Sequence, residues 1–283
     1  KSIGMDHIRM HLMWDIFQPE PFAVNEAAIE NLKRALDVCH NYQIDVFVTI
    51  FNGWMSGFVF KPAFAIGKNM FTDDSILESQ LWLIEQLSAA IKDHPALIGV
   101  DIGNELNVLA GSKSDGYDST QGDRWSSIVL AKAAACFPGK LIVSGVDHQS
   151  WFNNDHGFTR DHLAHAGDLT VLHTYPEFTG ARKYGDESQH VMHLQGFMTE
   201  FARAYNDDPT RKVWIQEFGI CKLWMRPEGH ENYLHTSIAN AMTCEGLWGF
   251  TFWGSHDIKR EFDGFTHAGF EHKPLYKSFN PLE

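Results

Sequence analysis

Leu97-Ile98-Gly99-Val100-Asp101-Ile102-Gly103-Asn104-Glu105 is a short apolar run that breaks off at an amide and a carboxylate. Val213-Trp214-Ile215-Gln216-Glu217-Phe218-Gly219 follows the same plan further along the chain. Runs of this kind read as buried strands, so each glutamate is expected where a strand leaves the core. In a parallel barrel those carboxyl ends are where chemistry is assembled. Two carboxylates on one such rim are the minimum equipment for cleaving a glycosidic bond. Either glutamate alone also reads as an ordinary acidic loop residue.

Outward from these two runs, apolar stretches alternate with amphipathic segments, the pattern of repeated βα units. The spacing predicts strands over His7 to Met13, Val46 to Phe51, Leu97 to Gly103, Leu141 to Ser144, Leu169 to His173, Lys212 to Gln216 and Leu247 to Phe252. Helices are predicted over Asn25 to Tyr42, with Asn25 as cap, and over Asp73 to Lys92, ended by His94-Pro95. Further helices are expected over Trp125 to Cys136, His190 to Tyr205 and His230 to Cys244. A long loop with Gly53, Gly57, Pro62 and Gly67 runs to Thr72, and a polar loop covers Gly111 to Asp123. No linker or shift in composition divides the 283 residues, so a single domain over 1–283 is expected. No GxGxxG follows any strand, which favours a closed barrel over an open doubly wound sheet.

The composition is that of a soluble globule, 44% hydrophobic and 21% charged, long enough to bury a core without metal or disulfide. The formal net charge of −13 and the lack of a dense basic run argue against nucleic acid and anionic membrane surfaces as partners. A neutral or cationic ligand fits better. Nine tryptophans are present. Trp82 reads as core packing, whereas Trp14, Trp54, Trp151, Trp224 and Trp253 fall at or beyond strand ends, where exposed indoles would be platforms for sugar rings. Cys39, Cys136, Cys221 and Cys244 form no framework and read as free thiols, leaning toward a reducing, cytoplasmic compartment without excluding secretion. No apolar stretch reaches membrane-spanning length and no signal peptide is read.

The polar residues at the strand ends form an ordered set: Arg9 and His11 on one face of the first strand, Asn104-Glu105, His173-Thr174-Tyr175, Glu217, and Trp253-Gly254-Ser255-His256-Asp257. In that order they resemble the clan A glycoside hydrolases, most of all glycoside hydrolase family 5, over nearly the whole chain. The resemblance implies an α/β fold, a (β/α)8 TIM barrel, and a retaining double displacement. It makes Glu105 the acid/base and Glu217 the nucleophile, a pair whose carboxyl groups must lie roughly 5–5.5 Å apart. It implies that Arg9 is a charge partner of Glu217, that Tyr175 orients Glu217, and that Asn104 grips the sugar 2-hydroxyl. His173 would line the site near Glu105, and Trp253 would lie under the sugar being cleaved. By their nature Arg9 also fits a structural ion pair and Tyr175 simple loop packing. The chain departs from the family in having Phe51-Asn52-Gly53-Trp54 where a histidine commonly follows strand three; Trp54 stands there as a candidate sugar contact. It also begins where the family's strand two begins, so the first βα unit is expected to be absent and the domain N-terminally incomplete.

Sixteen histidines suggest a metal, but no His-x-His or His-Glu-x-x-His occurs, so no metal site is expected. The acids from Asp115 to Asp123 lack the order of a calcium loop. A nucleophilic Cys221 would need a paired base, and the two glutamates explain more. The reading is a retaining hydrolase of β-linked gluco- or manno-configured chains, with carbohydrate as partner and no cofactor. Its rivals are a transglycosylase with the same site and a carbohydrate-binding barrel that has lost turnover. Sequence says nothing of oligomeric state.

Overall fold

The run that opens on Leu97 is a strand as read, ending at Gly103, with every residue but Ile98 buried. It belongs to a computed structural model that describes residues 1, 4–52, 54–55, 58–110, 117–154, 156–219 and 225–254. These fall into two compact units, carried by Asp6–Leu169 and Thr170–Glu283.

In the first unit β1 (His7–Met13) leads through α1 (Trp14–Phe17) and α2 (Glu26–Asn41) to β2 (Asp45–Asn52). A short antiparallel hairpin, β3 (Trp54–Met55) and β4 (Phe58–Val59), stands in the loop read as irregular, before α3 (Asp74–Ile91). Then come β5 (Leu97–Gly103), α4 (Ser119–Cys136), β6 (Leu141–Val143), α5 (Gln149–Phe152) and α6 (Arg160–His165). The four longer pairing strands form one parallel sheet in the order β1-β2-β5-β6. β2 and β5 lie inside it and are buried almost throughout, while β1 at its margin is mostly half-buried.

Helix starts are set by side chains that satisfy the free N–H groups of the first turn. Asn25 accepts from Ala28 N at 3.3 Å and Asp73 from Ile76 N at 3.1 Å. The helix predicted from Trp125 starts earlier, at Ser119. Asp118 and Gln121 build a reciprocal capping box there, so the polar end of the supposed loop is helix. Beneath the sheet, Trp125 meets Phe51 and Phe71 with ring centroids 6.2 and 5.0 Å apart.

The second unit runs β7 (Thr170–His173), α7 (Gln189–Met192), α8 (Leu194–Arg203), β8 (Val213–Phe218), α9 (Pro227–Ala241) and β9 (Leu247–Phe252). Its strands form a parallel sheet in the order β7-β8-β9. The helix predicted over His190 to Tyr205 is divided at His193, which leaves α7 with α8. Val191, Ile215, Phe218, Tyr233, Leu234 and Phe252 pack together as the core of this unit.

Candidate active site

In the first unit the carboxyl rim is organised by a buried carboxylate. Asp101, fully buried in β5, accepts from Arg9 Nε at 2.9 Å and Arg9 Nη2 at 2.6 Å. It also accepts from Thr49 Oγ1 of β2 at 3.1 Å and from Gly103 N and Gly145 N at 3.2 and 2.9 Å. One side chain thus joins all four strands or their immediate ends, just below the point where Asn104 and Glu105 emerge. Arg9, a candidate charge partner of Glu217, is held in this structural ion pair, its side chain 2% exposed.

Glu105 adopts a left-handed backbone, φ 42° and ψ 46°, at the head of a 3-10 turn over Leu106–Leu109. A non-glycine residue pays roughly 1–2 kcal/mol for that conformation. Such strain persists where the surroundings fix it, and here they do. Asn107 Nδ2 donates to Asp147 Oδ1 at 2.7 Å, and Asp147 N returns a bond to Asn107 Oδ1 at 3.0 Å. Asn104 is buried and donates from Nδ2 to the Trp54 carbonyl at 2.9 Å. Trp54 and Glu105 are half-buried.

In the second unit Glu217 sits in β8 and is 6% exposed. The Tyr175 hydroxyl donates to its Oε2 at 3.0 Å, and His173 Nδ1 lies 3.6 Å from the same oxygen. The other ring nitrogen of His173 meets Gln216 Oε1 at 2.8 Å. Trp253 follows β9, its N–H bonded to the Phe218 carbonyl at 2.8 Å. Gly219 is required at this junction: a Cβ there would lie 2.5 Å from the Trp253 carbonyl oxygen and 3.3 Å from the Tyr175 ring. Each unit therefore presents one glutamate at a strand's carboxyl end: Arg9, Trp54 and Asn104 share the first unit with Glu105, and His173, Tyr175 and Trp253 share the second with Glu217. Arg9, expected as a partner of Glu217, thus pairs with Asp101, and His173, expected near Glu105, lies 3.6 Å from Glu217 Oε2.

No protein-family model and no curated protein sequence matches the chain. Solved structures do. GH5_18 from Bifidobacterium longum subsp. infantis is 29% identical at a TM-score of 0.91, over 98% of this chain and 69% of that one. A glutamate-to-alanine variant of GH5_18 from B. longum subsp. longum ATCC 55813, in complex with Manβ1-4GlcNAc, is 27% identical at 0.90, over 99% and 69%. GH5_18 from Streptomyces cattleya in complex with GlcNAc is 28% identical at 0.91, over 98% and 70%. The chain is a family 5-like glycoside hydrolase. Its parallel βα units have the fold class of the (β/α)8 barrels it resembles, and the chain spans 69% of the length of the B. longum subsp. infantis structure.

Two tryptophans read as platforms in this hydrolase are core residues instead. Trp14 is fully buried, its N–H bonded to Gln18 Oε1 at 2.8 Å and its ring against Phe51. Trp151 is likewise fully buried. Both lie on short helices just past a strand, where the chain turns back to cover the core. Trp82, read as core, is half-exposed and packs edge-on against Phe22. Asp118 and Asp123, weighed as calcium ligands, hold helix starts: Asp118 caps α4, and Asp123 accepts from Thr159 N and Oγ1 at 2.9 and 2.6 Å. Trp224, Cys221, Asp115 and Ser255 to Asp257 lie outside the described residues.

Sequence reasoning missed Asp101, Gln216 and Asn52 as site residues. For Asp101 and Gln216 a signal existed, since each is a polar residue inside an otherwise apolar strand. Asn52 sits at the end of such a strand and gave none until its neighbours were known.

Proposed function

We propose that this hydrolase is a retaining β-mannosidase-type enzyme in which Glu217 is the nucleophile and Glu105 the acid/base. The observation that carries the assignment is the setting of Glu217, buried and held on Oε2 by the Tyr175 hydroxyl at 3.0 Å. A fixed carboxylate suits in-line attack on an anomeric carbon, because a positioned nucleophile loses little freedom on reaching the transition state. Glu105, half-buried at a turn, suits a group that must meet the leaving oxygen and then a water.

In the first step Glu217 attacks the anomeric carbon while Glu105 gives its proton to the departing oxygen. In the second, Glu105 takes a proton from water, which displaces Glu217 and returns the sugar with its original configuration. Arg9, Asn104, His173, Trp54 and Trp253 serve as supporting or sugar-contacting residues, and the enzyme acts on a β-mannosyl unit. Support for that sugar is the Manβ1-4GlcNAc held by a similar GH5_18 protein.

Glu217→Ala should abolish turnover of Manβ1-4GlcNAc and of 4-nitrophenyl β-mannoside alike. Glu105→Ala should lose the disaccharide yet retain activity on the nitrophenyl glycoside, whose leaving group needs no proton. Full activity of the Glu105 variant on the disaccharide refutes the assignment. Turnover of the β-glucoside but not the β-mannoside refutes the sugar.

A further inference from the structure

Two carboxamides on the rim of the first sheet hold one hairpin strand and leave two acceptors open. Asn52 ends β2, and Asn104 follows the neighbouring β5; Phe51 and Gly103, the residues just before them, are paired across the two strands. Asn52 is 0% exposed and Asn104 2%. Asn104 Nδ2 donates to the Trp54 carbonyl at 2.9 Å. Asn52 Nδ2 points at the Met55 and Met13 sulfurs, 3.6 and 3.4 Å away. Both nitrogens thus face a residue of β3, Trp54 or Met55, and Asn52 faces Met13 at the end of β1 as well. Both carbonyl oxygens, Asn52 Oδ1 and Asn104 Oδ1, are buried without a hydrogen-bond partner among the described residues.

A buried acceptor without a donor destabilises the folded chain, and native cores carry few of them. For Asn52 the cost is sharper, since thioether sulfur is a weak acceptor and repays little on the nitrogen side. A leucine would fill the same volume without that cost. Among the described residues nothing supplies the missing donors, and a bound ligand would. The two amides follow paired residues of adjacent strands, whose backbones lie about 4.8 Å apart. Adjacent hydroxyls of one pyranose ring offer donors of that kind and scale.

We propose that Asn52 and Asn104 form a twin-acceptor site for two hydroxyls of one sugar ring, with Asn52 as a specificity-determining residue. The Trp54 hairpin is the wall that their amide nitrogens hold in place. This rests on the glycosidase reading above, and it adds to Asn104 a second acceptor that the family resemblance did not supply.

The test is calorimetric titration of the full chain carrying Glu217→Ala with methyl β-mannoside and its 2-deoxy, 3-deoxy and 4-deoxy analogues. With Asn52 present, loss of the hydroxyl it reads should weaken binding about tenfold or more. With Asn52→Leu added, that same deletion should cost less than about twofold, while deletion of the hydroxyl read by Asn104 keeps its full cost. The ligand-free Asn52→Leu chain should melt no lower than its parent, because the unsatisfied acceptor is gone. Asn52→Asp, which keeps an acceptor at the same place, should keep the hydroxyl dependence and stands in if the leucine variant does not fold. Equal weakening toward every analogue, or an unchanged pattern with a lower melting point, overturns the proposal in favour of a structural amide. No binding of any mannoside overturns it together with the sugar assignment. Hydroxyl-selective binding by a wild-type chain that hydrolyses none of these glycosides leaves it standing and removes only the catalytic reading.

Discussion

Asp101 holds the first sheet's rim through a buried charge pair, and such pairs are costly to break from one side. Asp101→Asn leaves the Arg9 guanidinium buried beside a neutral group, so about 3 kcal/mol of stability should be lost in urea unfolding. Tyr175→Phe is the opposite case, removing one hydroxyl from Glu217 and little packing. A hydrogen bond to a charged group contributes about 1.5–3 kcal/mol, so kcat/KM should fall roughly tenfold to a hundredfold while Tm stays nearly constant. An unchanged kcat/KM would show that Tyr175 only packs. At this scale the sequence was partly legible. Glu105, Glu217 and Tyr175 are recognisable because their order along the strands carries meaning. What Asp101 and Asn52 do depends on partners up to 92 residues away, and no local pattern announces a contact across strands.

Among the elements, β8 and its exit depend on a glycine for space. Gly219→Ala would press a methyl against the Trp253 carbonyl 2.5 Å away, a backbone atom that cannot turn aside. About 1–3 kcal/mol of destabilisation should follow, with a larger loss of activity than of fold, since Trp253 and Tyr175 both move. At α3 the cap is electrostatic as well. The Ser75 hydroxyl, helped by the Ile76 N–H, holds the Asp73 carboxyl below the usual carboxylate range. A depressed value means that stabilisation is present above the unfolded carboxylate range and fades as pH falls through the folded one. Losing the cap in Asp73→Ala should cost about 1 kcal/mol at neutral pH, and the gap should narrow as pH falls through the folded carboxylate range. Elements with a long apolar stripe, such as α3 and β5, were readable because burial imposes a period. The start of α4 was not, because its first turn is polar and is announced by a cap. The hairpin of β3 and β4 was hidden for a related reason. Each strand has two residues, too few to show alternation.

For the molecule as a whole, a net charge of −13 combines with a substrate proposed to be neutral. An uncharged glycoside feels no steering field, so kcat/KM should change by less than about twofold between roughly 0.05 and 0.5 M salt. A steep decline would point to a cationic substrate instead. The seven parallel strands among the described residues and their order were legible in the alternation of apolar and amphipathic runs, and the likeness to GH5_18 structures covers 98% of the chain. Which sugar the rim accepts was not legible, because hydroxyl recognition is written in side-chain contacts such as Asn104 with Trp54. The proposed mechanism turns on covalent catalysis by Glu217. Incubation with 2-deoxy-2-fluoro-β-mannosyl fluoride, followed by peptide mass spectrometry, tests it most directly. One fluoromannosyl group is expected on the peptide that carries Glu217; a label on any other residue, or hydrolysis with no covalent species at all, rules out Glu217 as the nucleophile.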